Sequence, residues 1–170
     1  LDQTMNIPLD DLRLSKGKPE YLKEVQRAKL YGGLDGAEGT AEGDAHCFSV
    51  IYMPVKSPAY VIYEYTSNEP LDVFDEKVSR ICLKFDIQLG IEKNGVGLAH
   101  CNQMDNLGVN FEEFETTSAN RPVMITDLEE AYRKGMLIET YPEAENEARD
   151  MAYNDKNRAE HKKGGHDDRI

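Results

Sequence analysis

Carboxylates at the ends of short apolar runs are the side chains of this sequence that are best placed to do chemistry. Asp35 closes the run KLYGGLD, and Glu92 closes the run IQLGIE. Asp167 and Asp168 stand together in the last segment, KKGGHDDRI. Carboxylates that converge repel one another unless a cation lies between them, and Mg²⁺ and Mn²⁺ prefer hard oxygen ligands. We therefore predict a site for divalent cations.

The order of the predicted elements brings two of these acids together. In a mixed sheet of this order the first and fourth strands are parallel neighbours, so Asp35 and Glu92 emerge at the same end of the sheet. The C-terminal segment can deliver a third carboxylate. Two cations about 4 Å apart would activate a water and stabilise the leaving oxygen of a phosphodiester.

Each candidate also has an ordinary explanation. Asp35 could be a turn residue, Glu92 an acid at the start of the next helix, and GGHDD a solvated loop. His166 could be a general base, but a donor that holds Asp167 or Asp168 in place is the favoured interpretation. The other histidines, at positions 46, 100 and 161, are interpreted as ordinary.

The periodicity of apolar residues predicts a mixed α/β sheet. In the segment 70–86 a helical stripe is formed by Phe74, Val78, Ile81 and Phe85. Five strands are expected, three of them antiparallel, with flanking helices, and this order matches the ribonuclease H-like (resolvase-like) fold. The strands are predicted at 29–35, 46–53, 59–66, 87–92 and 109–115, with a short additional strand at 136–140 as an option.

Capping residues suggest where the later helices begin and end. Asn94 is a candidate N-cap and Gly108 a candidate terminator for the second helix. A T-x-x-E capping box at Thr126 is predicted to open a helix that Gly135 closes. Pro142 is expected at the first position of a further helix that runs through PEAENEARDMAY.

Composition limits the function classes. The 170 residues carry a formal net charge of −12, which speaks against a broad electrostatic surface for nucleic acid. The three cysteines lack CxxC spacing, which favours a reducing compartment without a disulfide framework or a zinc site. No apolar run approaches the roughly 20 residues of a membrane span. The glycine-rich segment EGTAEGD (38–44) lacks GxxxxGK[ST], so a P-loop is excluded.

Five fragments of the sequence together resemble one family. They occur in order from about residue 28 onwards: YGGLDGAEGTAEGDAHCFSVI, YVIYEY, LGIEKNGVG, RPVMITDLEEAYRKGMLIE and KKGGHDD. They look like the C-terminal nuclease domain of terminase large subunits from tailed phages. The resemblance implies a ribonuclease H-like nuclease that cuts concatemeric viral double-stranded DNA during genome packaging in the host cytoplasm. It also implies an ATPase motor on the same polypeptide, with the portal protein and the small terminase subunit as partners.

The resemblance also implies roles for the acids. Asp35 would bridge two Mg²⁺ or Mn²⁺ ions, Glu92 would hold the second ion, and Asp167 or Asp168 would complete the first. Asp44 matches a secondary acid that some relatives carry. Because the sequence starts at Leu1, residues 1–27 are expected to be a linker from the motor domain and 28–170 the nuclease domain. The helix that usually follows HDD is missing after Ile170.

Few basic residues are available near these acids to bind DNA. The candidates are Lys93, Lys162, Lys163 and Arg169. Such a small patch neutralises few phosphates, so binding of the isolated domain to DNA is expected to be weak and salt-sensitive. The alternatives are another ribonuclease H-like nuclease, such as a junction resolvase or an integrase core, or a catalytically inactive docking module.

Overall fold

The computed structural model describes residues 29–37, 45–54, 58–139 and 141, and the backbone of 151–153 and 159–161. In chain order the elements are β1 (Lys29–Asp35), β2 (His46–Met53), β3 (Ala59–Ser67), α1 (Leu71–Phe85), β4 (Gln88–Glu92), α2 (Gly97–Asn106), β5 (Phe111–Phe114), α3 (Arg121–Arg133), β6 (Leu137–Ile138), β7 (Met151–Tyr153) and β8 (Ala159–His161). The domain boundary near residue 28 stays a prediction, because residues 1–28 lie outside the described part.

Six strands form the main sheet, in the order β5-β4-β1-β2-β3-β6. The pairs β1–β2 and β2–β3 are antiparallel, and the pairs β1–β4, β4–β5 and β3–β6 are parallel. The mixed, ribonuclease H-like sheet with three antiparallel strands is therefore confirmed. The sheet has six strands rather than five, because the optional short strand at 136–140 is present as β6 and pairs with the start of β3.

One apolar face of the sheet packs against α1 and α2 to form the core. Strand residues such as Phe48, Ile62 and Leu89 are fully buried there, together with Phe74 and Val78 of α1. Alternation along each strand sends every second side chain into this core. In β1 and β4, the side chains between the buried positions therefore lie on the opposite face of the sheet.

The predicted stripe of α1 is right except at its end. Phe85 is 39% exposed, whereas Cys82 is buried on the core side. Phe85 is the last residue of the helix, and Asp86 turns the chain with a φ of 53°. The three cysteines are free and buried, and burial raises the pKa of the Cys82 thiol to about 12.

The helix ends confirm the predicted terminators but not the predicted caps. Gly108 and Gly135 have φ values of 73° and 64°, and each follows the last turn of a helix. Asn94 is not a cap, because α2 begins three residues later. The capping box at Thr126 is also wrong: α3 begins at Arg121, and the Thr126 hydroxyl donates to a carbonyl inside that helix.

The last part of the described chain differs from the prediction as well. Met151–Tyr153 forms an antiparallel pair with Ala159–His161, so these residues are not part of a helix. The rest of the helix predicted from Pro142 lies outside the described residues. None of the described helices is long and apolar enough to cross a membrane.

Candidate metal centre

The ends of β1 and β4 bring two acids side by side. The parallel register pairs Leu34 with Ile91, and both of these side chains are buried in the core. Asp35 and Glu92 occupy the next position on each strand and point to the opposite face of the sheet. Neighbouring strands lie about 4.8 Å apart, so the backbone positions of the two acids are adjacent at one end of the sheet. The predicted pairing of these strands is confirmed, while the metal role of the two acids stays a prediction.

The surface beside the acids is unobstructed by side chains from the same two strands. Gly33 and Gly90 are register partners and precede Asp35 and Glu92 on the same face. A Cβ added at either glycine would make ordinary contacts of 3.7 Å or more, so internal packing does not require glycine there. Asp35 is exposed and Glu92 is half-buried, and both face this open strip.

Glu92 is held by the turn that follows it. Asn94 Nδ2 donates to Glu92 Oε1 and to the Thr116 carbonyl oxygen, at 2.8 Å in both cases. The amide therefore ties the end of β4 to the segment after β5. Gly97, at the start of α2, lies so close that an added Cβ would overlap the Glu92 carbonyl oxygen. The backbone of Glu92 is thus fixed from the helix side and its carboxylate from the turn side.

Substitution of Asn94 by alanine is expected to weaken binding of Mn²⁺ about 10- to 100-fold, the range typical of groups that orient metal ligands. The substitution removes the donor to Glu92 Oε1 and leaves the Thr116 carbonyl to water. Isothermal titration with Mn²⁺ in the absence of DNA measures the effect. Asn102→Ala, on the exposed side of α2, is the matched control and should bind Mn²⁺ like the unmodified protein; equal affinity of both variants would contradict the role of Asn94.

A polar cluster lies inside the core, in contact with the two residues that follow Asp35. Asp75 of α1, His100 of α2 and His46 of β2 are fully buried. His100 Nδ1 lies 2.6 Å from Asp75 Oδ1, and the two histidine rings meet edge to face at 5.0 Å. Both histidines were interpreted as ordinary from the sequence. The available signal was Asp75, a charged residue next to Phe74 in the apolar stripe of α1.

His46 is placed to remain neutral. The Ala37 N–H donates to His46 Nδ1 at 3.2 Å, so this nitrogen carries a lone pair. Burial, and next to it the neighbouring His100, lowers the pKa of His46 from the ordinary 6.5. Asp75 and the carboxylate and carbonyl of Glu69 act in the opposite direction but do not reverse the shift.

The free energy of unfolding is expected to fall as the pH drops below about 6.5, because the unfolded chain then binds a proton that folded His46 resists. His46→Asn keeps an acceptor near the Nδ1 position but has no ionisable ring. Urea unfolding of both proteins between pH 7.5 and 5 should therefore give a steeper loss for the unmodified protein. Parallel curves for the two proteins would contradict the assignment.

Of the remaining predicted site residues, only Lys93 lies in the described part of the chain. Lys93 is half-exposed, and its Nζ lies 4.0 Å from Glu113 Oε2, a distance typical of weak surface pairs. The other predicted residues lie outside the described part of the chain: Asp44, Lys162, Lys163, His166, Asp167, Asp168 and Arg169. Within the described ranges, no three His, Cys, Asp or Glu side chains form a possible metal site. The described pair offers carboxylate oxygens, the donors that suit Mg²⁺ and Mn²⁺.

Solved structures with the same architecture come from phage terminases. The large terminase nuclease of thermophilic phage G20c with bound cobalt superposes with a TM-score of 0.70 and 16% identity, over 84% of this chain and 77% of that chain. Its form with bound magnesium gives 0.67 and 16%, over 84% and 76%. The HK97 bacteriophage large terminase gives 0.62 and 12%, over 83% of this chain and 37% of that chain. The chain has the fold of a large terminase nuclease domain.

The terminase nuclease fold confirms the resemblance drawn from the five sequence fragments. No protein-family model and no curated protein sequence matches the chain. At identities of 12–16%, the agreement is one of fold. In this terminase nuclease fold, the adjacent ends of β1 and β4 are where Asp35 and Glu92 stand.

Proposed function

We propose that this chain is a metal-dependent endonuclease that cuts concatemeric viral double-stranded DNA during genome packaging. The observation that carries the proposal is the placement of Asp35 and Glu92 on neighbouring parallel strands, each directly after the register pair Leu34–Ile91. Two like charges at adjacent strand ends repel each other unless a cation neutralises them. Solved nucleases of the same fold contain magnesium, cobalt or manganese, which supports a divalent cation here.

Two divalent ions, Mg²⁺ or Mn²⁺, fit the donors that the site offers. Asp35 would contact both ions, Glu92 the second, and Asp167 or Asp168 the first. When bound, the ions supply a more acidic water and stabilise the leaving oxygen of the phosphodiester. Asn94 holds the Glu92 carboxylate in one orientation. His166 would orient the neighbouring aspartates, and Asp44 would be a secondary acid near the centre.

The acidic charge of the chain shapes how it would bind DNA. With a net charge of −12, only local basic residues can contact phosphates, and Lys93 is already shared with Glu113. Together with Lys162, Lys163 and Arg169 it would neutralise a few phosphates, which gives weak and salt-sensitive binding. We infer that the ATPase motor domain, with the portal protein and the small terminase subunit, supplies the remaining affinity in the host cytoplasm. Weak autonomous binding also limits indiscriminate cutting.

Cleavage of supercoiled plasmid tests the proposal. With Mn²⁺ the purified protein should convert the plasmid to nicked and linear forms, and EDTA should stop the reaction. Absence of cleavage with Mg²⁺, Mn²⁺ and Co²⁺ would contradict the proposal and favour a docking module. Preferential cutting of four-way junctions over linear duplex would indicate a junction resolvase instead.

A further inference from the structure

The buried side chains of Asp75, His100 and His46 are here called the histidine–aspartate cluster. A contribution to stability does not account for the presence of these polar groups in the core. Polar side chains in a core are costly unless they are fully hydrogen-bonded, and a buried ion pair is often no more stable than apolar residues of similar volume. Three atoms of the cluster have no hydrogen-bond partner among the described residues: His46 Nε2, His100 Nε2 and Asp75 Oδ2. The Glu69 backbone acts to raise the pKa of His46, but His46 Nε2 has no hydrogen bond of normal geometry among the described residues.

The cluster contacts the two residues that follow Asp35. The Ala37 N–H donates to His46 Nδ1 at 3.2 Å. Gly36 lies against the edge of the His100 ring, since an added Cβ would be 2.6 Å from Nε2. Glycine is therefore required at this position by the histidine ring, and the ring in turn limits where the backbone can move. One residue is held by a hydrogen bond and the other by close packing.

The cluster itself is fixed by its own partners. His100 Nδ1 faces the Asp75 carboxylate, which sets the plane of the ring. His46 stacks on Phe74 with ring centroids 4.9 Å apart and meets His100 edge to face. α1, α2 and β2 each supply one member. The position of the chain after β1 is thus determined by three elements of the core.

We propose that His46, His100 and Asp75 are positioning residues that fix the backbone at Gly36 and Ala37 and thereby the direction in which the Asp35 carboxylate leaves β1. The expected effect of the cluster on cleavage rests on the proposed function, whereas its effect on the backbone at Gly36 and Ala37 does not. The cluster is completely buried, so its members do not touch substrate. They also do not form a metal site of their own among the described residues.

Two variants at position 46 separate positioning from simple packing, because the two roles predict opposite rankings. His46→Leu fills the space with an apolar side chain but cannot accept from the Ala37 N–H. His46→Asn is smaller and polar, yet it keeps an acceptor near the position of Nδ1. If the role is packing, leucine should be the better tolerated residue in every assay.

Under the positioning proposal, His46→Leu should bind Mn²⁺ about 10- to 100-fold more weakly in titrations without DNA, even where its unfolding midpoint equals or exceeds that of His46→Asn. His46→Asn should stay within a few-fold of the unmodified protein. Cleavage of plasmid should follow the metal affinities. Metal affinities that follow the unfolding midpoints, or His46→Leu with unchanged affinity, would overturn the proposal.

Amide hydrogen exchange of the unmodified, metal-free protein provides a second test that does not depend on the variants. The Ala37 amide should exchange much more slowly than the Gly95 amide in the turn after β4, because it donates a hydrogen bond to the buried His46 ring. Rapid exchange at Ala37 would overturn the anchoring even if the protein cleaves DNA. Slow exchange in a protein that neither binds Mn²⁺ nor cuts DNA would support the anchoring and contradict the proposed function.

Discussion

Replacement of Asp35 by asparagine is expected to reduce Mn²⁺-dependent cleavage by more than about 100-fold, beyond the 10- to 100-fold range of groups that only orient metal ligands. Asparagine keeps the size of the side chain but removes the charge that would contact both ions. The carboxylate lies at the exposed end of β1, so the fold should be unaffected. Plasmid cleavage under single-turnover conditions measures the loss.

Binding of the metal gives the same test without catalysis. A ligand at about 100 times its Kd stabilises the native state by about 2.7 kcal/mol, so Mn²⁺ should raise the unfolding midpoint of the unmodified protein. Asp35→Asn should show no such rise. Asp105→Asn, an exposed acid near the end of α2, is the matched control and should keep both the rise and the cleavage. Retained cleavage in Asp35→Asn would refute the metal role of this residue.

Replacement of Gly97 by alanine is expected to destabilise the protein by about 2 kcal/mol and to abolish most of the cleavage activity. Helix propensity alone predicts the opposite sign, a gain of roughly 0.8–1 kcal/mol for alanine over glycine. The added Cβ, however, would overlap the Glu92 carbonyl oxygen and lie 2.7 Å from the carbonyl carbon. These are backbone atoms that cannot rotate away, and overpacking of this kind costs about 1–3 kcal/mol.

The consequence for activity follows from the displacement of Glu92. Either α2 or the end of β4 must move, and an error of about 1 Å in a catalytic site can cost about 10²-fold in rate. Urea unfolding and plasmid cleavage measure the two effects. Gly33→Ala is the control for stability, because its Cβ would meet only Ser49 Oγ at 3.7 Å. If Gly97→Ala were as stable as Gly33→Ala, the close approach of α2 to Glu92 would be wrong.

Most strands of the sheet could be predicted because their signal is local. The run at 46–53 is rich in β-branched and aromatic residues, and the structure has this strand and the one at 29–35 at the predicted limits. Helix starts were less predictable because capping side chains have competing partners. Asn94 bonds Glu92 and a carbonyl after β5, and this choice depends on a strand pairing that sequence spacing does not reveal.

In the candidate centre, too, some features could be predicted from the sequence and others depend on tertiary contacts. The adjacency of Asp35 and Glu92 follows from general rules of strand order, so the sequence was sufficient to predict it. The histidine–aspartate cluster was not predicted, because a charged residue beside an apolar stripe looks the same whether it faces solvent or the core. Asp75 is assigned to the core only when α2 is placed beside α1, which brings His100 within hydrogen-bonding distance.

The parallel pairing of β1 with β4 has a consequence for folding. The two strands are separated along the chain by β2, β3 and α1, so their pairing closes a long loop and has a high entropic cost. The local hairpins β1–β2 and β2–β3 can form earlier. Asp35 and Glu92 therefore become neighbours only when the non-local part of the sheet is complete. A growing or partly folded chain has the two acids but not their pairing, so the candidate site is assembled only late in folding.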